Sequence, residues 1–296
     1  MRRLRAWGPG ILLLSPSLVL LGFFVYGFLG WNLRVSLTDW MQFNQTSNFV
    51  GLQRYAELAE NEVWWRDVRH LVVFTVVFVF GSLVVGFLIA LLLEKGVRGE
   101  NFFRSVYLFP MAISFIAVAI VWRWLLDNGV GVNTAGLNKL FAYVGLDFLH
   151  SDWHKSSGDW AVAAVALPAG WALTGYVMAL FLAGMRGVPD ELREAARVDG
   201  AREPKVFWHV VRPMLWPVVM SALVILAHIS LKTFDLIYAI DLRSPRIETP
   251  AVYMWFQTFQ ANYYARGAAV ATLLLLGVAV FIVPYIWYSL RTERRR

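Results

Sequence analysis

Few residues in this chain of 296 could take part in chemistry, because only 16% are charged and cysteine is absent. Lys232 and Asp235 lie three positions apart in an otherwise apolar stretch. On a helix this spacing permits an ion pair, whereas charges in apolar surroundings that stay unpaired line a wet path. Both interpretations stay open for these two residues. Arg123 and Asp127, four positions apart, fit an ion pair by the same rule.

Other chemistries lack the residues they need. His209 and His228 stand alone without metal-ligand spacing, and without cysteine neither a disulfide nor a thiolate metal site can form. The sequence has no Gly-x4-Gly-Lys-Ser/Thr phosphate loop, and no paired carboxylates, nucleophile elbow or histidine cluster lie at a predicted membrane boundary. We therefore expect no catalytic residue, metal or cofactor in this chain. The net charge of +7 is spread among linkers and does not indicate nucleic-acid binding.

Long charge-poor runs identify the elements that must position these residues. Hydrophobic residues make up 58% of the chain, and a helix needs about 20 consecutive apolar residues to cross a bilayer. Because no backbone group can stay unpaired in hydrocarbon, each run predicts a helix. We expect an all-α polytopic membrane protein with a single domain over 1–296 and an uncleaved first span. The approximate spans are 9–33, 71–93, 105–127, 160–185, 213–240 and 267–290.

The basic residues outside the spans predict the orientation of the chain. Sixteen Lys and Arg residues fall in the two terminal tails and in the second and fourth linkers, against nine in the other three linkers. Because cytoplasmic loops carry the excess of Lys and Arg, both termini are predicted to be cytoplasmic. Trp122, Trp124 and Trp160 then fall near the outer interface, where tryptophan is enriched.

The linker 186–212 between the fourth and fifth spans is the most structured one. Pro189 suits a first helical turn, acidic residues follow it, and Gly200 suits a left-handed C-cap. Pro204 can start a second short helix, so we expect a helix–turn–helix on the cytoplasmic face. Its apolar face is narrow and made of small residues, which would let it fit a groove of a partner protein. A solvated linker that caps two membrane helices is the alternative.

The same linker carries a resemblance to a known family. Glu194-Ala195-Ala196, then Gly200, Pro213 and Pro217, resemble the signature loop of binding-protein-dependent ABC importer permeases. The resemblance implies the type I permease fold, in the inner membrane of a bacterial or archaeal cell. It also implies that residues 189–204 dock into an ATPase subunit through Glu194, Ala195, Ala196, Asp199, Gly200 and Ala201.

The resemblance implies a set of partners as well. These are a second permease subunit, two ATPase subunits that bind ATP and Mg, an extracytoplasmic sugar-binding protein and the lipid bilayer. The chain would form half of the translocation pore, and ATP hydrolysis would be the work of the partner. A secondary transporter is the alternative class, although the chain shows no internal repeat and few charges at membrane depth.

Several further segments are similar to permeases of the carbohydrate-uptake branch, and among these to the upstream member of the permease pair. They include 49–55, 99–104 and 181–189, and the segments 107–115 and 228–237 are similar to glucose and mannose permeases. One departure is Asp241 to Pro245, where many relatives have Thr-Gly-Gly-Gly-Pro. We expect a monosaccharide such as glucose or mannose, with maltose or an α-glucoside as the alternative. The candidate substrate path comprises Lys232, Asp235, Trp171 and Ser114.

Overall fold

The computed structural model describes residues 13–42, 48–129, 134–242 and 244–293. Within these ranges the chain is helical, apart from turns, loops and an isolated bridge between Thr38 and Phe49. This confirms the all-α prediction. The chain divides into two compact units, the first made of Met1–Trp64 and Tyr253–Leu275 and the second of Trp65–Val252 and Leu276–Arg296.

Thirteen helices are numbered here in chain order over the described residues. Four of them (α1, α3, α7 and α13) are long and apolar enough to cross a membrane, and two bent pairs raise the number of spans to as many as six. Their bounds are α1 Leu13–Ser36, α2 Gln53–Ala59, α3 Glu62–Glu94, α4 Glu100–Ala112, α5 Phe115–Leu125, α6 Gly136–Tyr143, α7 Asp159–Arg186, α8 Asp190–Val198, α9 Glu203–Met214, α10 Trp216–Leu231, α11 Asp235–Ile240, α12 Pro250–Trp255 and α13 Tyr264–Glu293.

The third predicted span is bent, whereas the sequence predicts a continuous helix there, and a second bend lies at the predicted start of the fifth span. α4 and α5 meet at 100°, and α9 and α10 meet at 57°. In the first pair, Ile113 and Ser114 have extended backbone angles, and the Ser114 hydroxyl accepts the amide of Ala117 at 3.3 Å as an N-cap. In the second pair, Pro213 and Pro217 flank the bend and remove amide donors from the helix.

Helix α7 forms the centre of the second unit because its small residues allow other helices to approach closely. A Cβ at Gly175 would lie 1.8 Å from the carbonyl oxygen of Tyr107 in α4, so only glycine fits. A Cβ at Gly86 in α3 would lie 2.8 Å from the side chain of Val177. Close backbone contact at small residues is the usual basis of helix packing in membranes.

The first unit is held together by polar contacts at the ends of apolar helices. Asn32 in α1 donates to the carbonyl oxygen of Ala268 at 3.2 Å and to the Thr272 hydroxyl at 3.0 Å. Glu57 in α2 accepts from Arg54 at 2.7 Å and from Arg266 at 3.2 Å. Burial would raise the pKa of Glu57, but its hydrogen bonds to the two arginines outweigh burial and lower the pKa.

Candidate functional site

The linker predicted to be a helix–turn–helix has that shape. α8 begins after Pro189 and carries Asp190 and Glu191 in its first turn, where acids meet the positive end of the helix dipole. It ends at Val198, and Gly200 follows with a left-handed φ of +82°. The amide of Gly200 donates to the carbonyl of Arg197, and the amide of Ala201 donates to the carbonyl of Ala196, both at 2.9 Å. These two hydrogen bonds make a Schellman C-cap.

Arg193 attaches α8 to two other helices, and Arg197 makes an exposed contact with the helix that follows. Nη2 of Arg193 donates to the Glu94 carboxylate at the end of α3 at 2.8 Å and to the carbonyl of Met185 in α7 at 2.7 Å. Nε of Arg197 donates to Glu203 at the start of α9 at 2.7 Å, and this hydrogen bond raises the pKa of Arg197. These anchors have no direct signal in the sequence, because both acids lie outside the signature residues.

The opposite face of α8 is open to solvent. Glu194, Ala195, Asp199 and Gly200 are exposed, whereas Ala196 and Ala201 are half-buried. Beside them stand two exposed apolar side chains of the same helix, Leu192 and Val198, the latter 87% exposed. The predicted site residues therefore divide between the solvent side of α8 and its attached side, and Ala195 lies on the solvent side.

A second group of candidate residues lies at an interruption in the fifth predicted span. α10 ends at Leu231 and α11 begins at Asp235, so Lys232 and Asp235 do not share one continuous helix. Within the described residues no ion pair joins them, and both side chains are exposed. Lys232 instead follows the carbonyl end of α10, and Asp235 occupies the first turn of α11. Each charge thus stands at the helix end whose dipole favours it.

These charges line a small cavity of about 180 Å³. Phe115 and Phe234 contribute aromatic surface to it, and His228 lines it as well. Nδ1 of His228 is buried and has no hydrogen-bond partner in the described part of the chain. An ammonium, a carboxylate and aromatic rings around one cavity can bind hydroxyl groups and stack against an apolar ring face.

The other predicted residues lie outside that cavity lining. Trp171 packs against Trp122 with ring centroids 6.1 Å apart, and the Ser114 hydroxyl caps α5. The predicted pair of Arg123 and Asp127 is wrong, because α5 ends between them and the Asp127 carboxylate accepts the amide of Gly129 at 3.0 Å.

A buried ionic cluster that the sequence did not reveal holds the loop before α12. Arg66 of α3 donates to Asp67 at 2.8 Å and to Glu248 at 2.7 Å. The His70 ring lies 2.8 Å from the carbonyl oxygen of Glu248. Asp67 is fully buried, and its Oδ2 has no hydrogen-bond partner within the described ranges. The cluster ties Glu248, in the loop before α12, to α3.

Several apolar helices long enough to cross a membrane, together with two bent pairs, define a polytopic membrane protein. A family model described as the binding-protein-dependent transport system inner membrane component matches residues 82–296. The chain belongs to this family.

Relatives cover almost all of the chain. It is 38% identical to a probable ABC transporter permease protein of Pyrococcus horikoshii, over 96% of this chain and 97% of the relative. It is 32% identical to the xylose/arabinose import permease protein of Haloferax volcanii, over 96% of this chain and 86% of the relative. A solved bacterial ABC transporter involved in the import of the acidic polysaccharide alginate contains a chain with the same fold, at a TM-score of 0.79. The two chains are 18% identical, and the match covers 98% of this chain and 99% of the other. This confirms the type I permease fold.

Proposed function

We propose that this chain is a permease subunit of an ATP-driven sugar importer and forms half of its pore. The family match and the sugar-import name of the Haloferax volcanii relative support this role. A second permease and an extracytoplasmic sugar-binding protein complete the transmembrane path, and two cytoplasmic ATPase subunits bind ATP and Mg and hydrolyse the ATP. Both termini then face the cytoplasm, as the distribution of basic residues indicates.

The observation that carries the proposal is the position of α8. Its two arginines tie it to the ends of α3 and α7 and to the start of α9, while its opposite face exposes Leu192, Ala195 and Val198. Exposure of an apolar helix face to water is unfavourable, and burial of that face against a partner lowers the free energy. Docking of the ATPase on this face couples its closure to movement of the membrane helices.

A bulky residue on the exposed face tests this docking. Ala195→Trp points into the proposed interface and away from the chain's own packing, so the membrane fold should persist. We expect ATP-driven uptake in proteoliposomes to fall severalfold and co-purification of the ATPase to weaken. Ala195→Ser keeps the size of the side chain and serves as the matched control. Normal uptake by the Trp variant would contradict docking on this face.

We further propose that the substrate is a monosaccharide such as glucose or mannose and passes the cavity beside Lys232 and Asp235. The volume of about 180 Å³ is smaller than the usual range of about 300–1,000 Å³ for ligand sites. Such a space suits one sugar ring better than maltose or an α-glucoside. Stimulation of ATP hydrolysis by the binding protein loaded with each sugar in turn distinguishes these substrates.

One observation favours a second candidate, an ion-coupled carrier. The break between α10 and α11 places charges at a discontinuous helix, a feature of secondary transporters. Uptake that persists in vesicles with a collapsed proton gradient, but stops without ATP, excludes the carrier. Uptake that needs the gradient and no ATP supports it.

A further inference from the structure

The segment between α5 and α7 folds into a compact cap, here defined as residues 134–158. Asn138 at its centre is buried, and its side chain makes four hydrogen bonds. Its Nδ2 donates to the carbonyls of Asp127 at 3.0 Å and Ser151 at 2.9 Å. Its Oδ1 accepts from the amide of Ser151 at 3.2 Å and from the indole of Trp153 at 3.0 Å. All four donor and acceptor positions of the amide are satisfied, which fixes the cap.

The cap is attached directly to the C-terminal end of α5. Gly136, the first residue of α6, has a φ of +57°, and a Cβ there would lie 2.2 Å from the carbonyl oxygen of Leu125. Leu137 and Phe141 of α6 pack on a small core that contains Leu126 and Trp153. α6 therefore lies at the level where α5 leaves the membrane.

Tryptophans on both sides of the cap mark that level. Trp124 at the end of α5 and Trp160 at the start of α7 are both exposed, and Nε1 of Trp160 donates to the Ser151 hydroxyl of the cap at 2.8 Å. Tryptophan is enriched at membrane–water interfaces because its ring is apolar and its N–H is polar. The cap thus bridges two helix ends that both lie at one boundary of the bilayer.

The outer face of α6 and the turn after it are apolar. Leu140, Tyr143 and Val144 recur at helical spacing on the exposed side, and Phe148 follows them. Tyr143 is 89% exposed and Phe148 is 79% exposed. Lys139, four residues before Tyr143, is also exposed. α6 is therefore apolar on two faces, of which only the inner one is covered within the described chain.

We propose that α6 and the turn to Phe148 form an interfacial anchor that lies in the lipid headgroup region beside α5. The attachment to the end of α5 and the flanking tryptophans place this face against lipid. Apolar side chains of a surface helix enter the boundary between headgroups and acyl chains, while a lysine extends toward the phosphates. A binding protein that docks from solvent would instead need this face to point away from the bilayer.

Single cysteines can test this position because the chain has none of its own. Tyr143→Cys and Phe148→Cys, in the full chain reconstituted in phosphatidylcholine vesicles, are labelled with an environment-sensitive fluorophore. Asp152→Cys, an exposed polar position of the same cap, is the matched control. A spin-labelled or brominated phosphatidylcholine and aqueous iodide serve as the two quenchers.

The anchor predicts severalfold stronger quenching by the modified lipid at 143 and 148 than at 152, with the opposite order for iodide. Equal iodide quenching at all three positions would overturn the proposal, because the face would then be in water. Labels that the modified lipid does not quench, but that become shielded from iodide when an extracytoplasmic binding protein is added, would also overturn it. That result would show a protein-docking face instead.

Discussion

Arg193 and Glu94 form a half-buried ion pair of 2.8 Å that joins α8 to the end of α3. The same guanidinium donates to the carbonyl of Met185 in α7 at 2.7 Å. One side chain therefore connects the projecting helix to two membrane helices. If the ATPase docks on α8 as proposed, a displacement of this helix would be transmitted to α3 and α7 through this contact, and Arg193 would be a positioning residue for coupling.

Arg193→Ala should uncouple ATP hydrolysis from uptake. The substitution removes two charge-assisted hydrogen bonds of a half-buried group, a loss of about 2–3 kcal/mol, and leaves Glu94 without its partner. We expect fewer sugars transported per ATP hydrolysed in proteoliposomes. Arg197→Ala, which breaks an exposed pair with Glu203, should change this ratio little because exposed pairs contribute little. Equal ratios in the two variants would contradict the anchoring role.

Gly200→Val should disturb the turn that ends α8. Gly200 has a φ of +82°, and a Cβ added there would meet no atom within 4 Å, so the cost arises from the backbone alone. A β-branched residue in this conformation costs about 1–2 kcal/mol, while asparagine tolerates it. We expect reduced coupling in Gly200→Val and nearly normal coupling in Gly200→Asn, measured as uptake per ATP. If the two variants behave alike, the left-handed turn is not needed for coupling.

Exchanging the charges of Lys232 and Asp235 separates the two interpretations of these residues. If they formed a mutual ion pair, the double variant Lys232→Asp with Asp235→Lys would restore function lost in single variants. The structure places each charge at its favoured helix end, so the exchange puts both at the wrong ends. We expect uptake by the double variant to be lower than by Lys232→Ala or Asp235→Asn. Restored uptake would show that the residues act as a pair.

Acidification should loosen the cap through His154. Burial lowers the pKa of His154, with Lys155 and Arg123 acting in the same direction, while Asp241 and Asp127 oppose them. The folded cap therefore binds fewer protons than the unfolded cap, and its stability falls as the pH drops below the ordinary histidine value of about 6.5. Hydrogen exchange of the segment 134–158, corrected for intrinsic rates, should quicken at about pH 5.5.

His154→Gln gives the control for this pH dependence. The variant cannot take up a proton, so the exchange of the cap should no longer change between neutral and acidic pH. His150→Gln, at an exposed position of the same cap, should keep the dependence. A dependence that survives in His154→Gln would assign the effect to another group.

The sequence predicted the elements whose signals are local. Charge-free runs predicted the long apolar helices, and the order of Pro189, acidic residues and Gly200 predicted α8 and the left-handed turn after it. The break after Leu231 was not predicted, because neither proline nor glycine marks it. The expected pair of Arg123 and Asp127 failed because the helix ends between them.

Contacts between distant segments could not be predicted from one sequence. Arg193 meets Glu94 across 99 positions, and Arg66 meets Glu248 across 182. Charges of this kind look like ordinary linker residues until packing brings them together. The outer face of α6 could not be assigned for a similar reason, since Leu140 to Val144 is one apolar run in the sequence and only packing separates the inner Phe141 from its exposed neighbours.

Sugar-stimulated ATP hydrolysis in nanodiscs is the decisive measurement for the proposed role in import. The tagged chain is purified with the proteins encoded beside it, and hydrolysis is measured with the binding protein, with and without glucose or mannose. We predict that a second permease and an ATPase purify with the chain and that the loaded binding protein raises hydrolysis. A chain that purifies alone and shows no dependence on ATP would refute this role and favour a carrier.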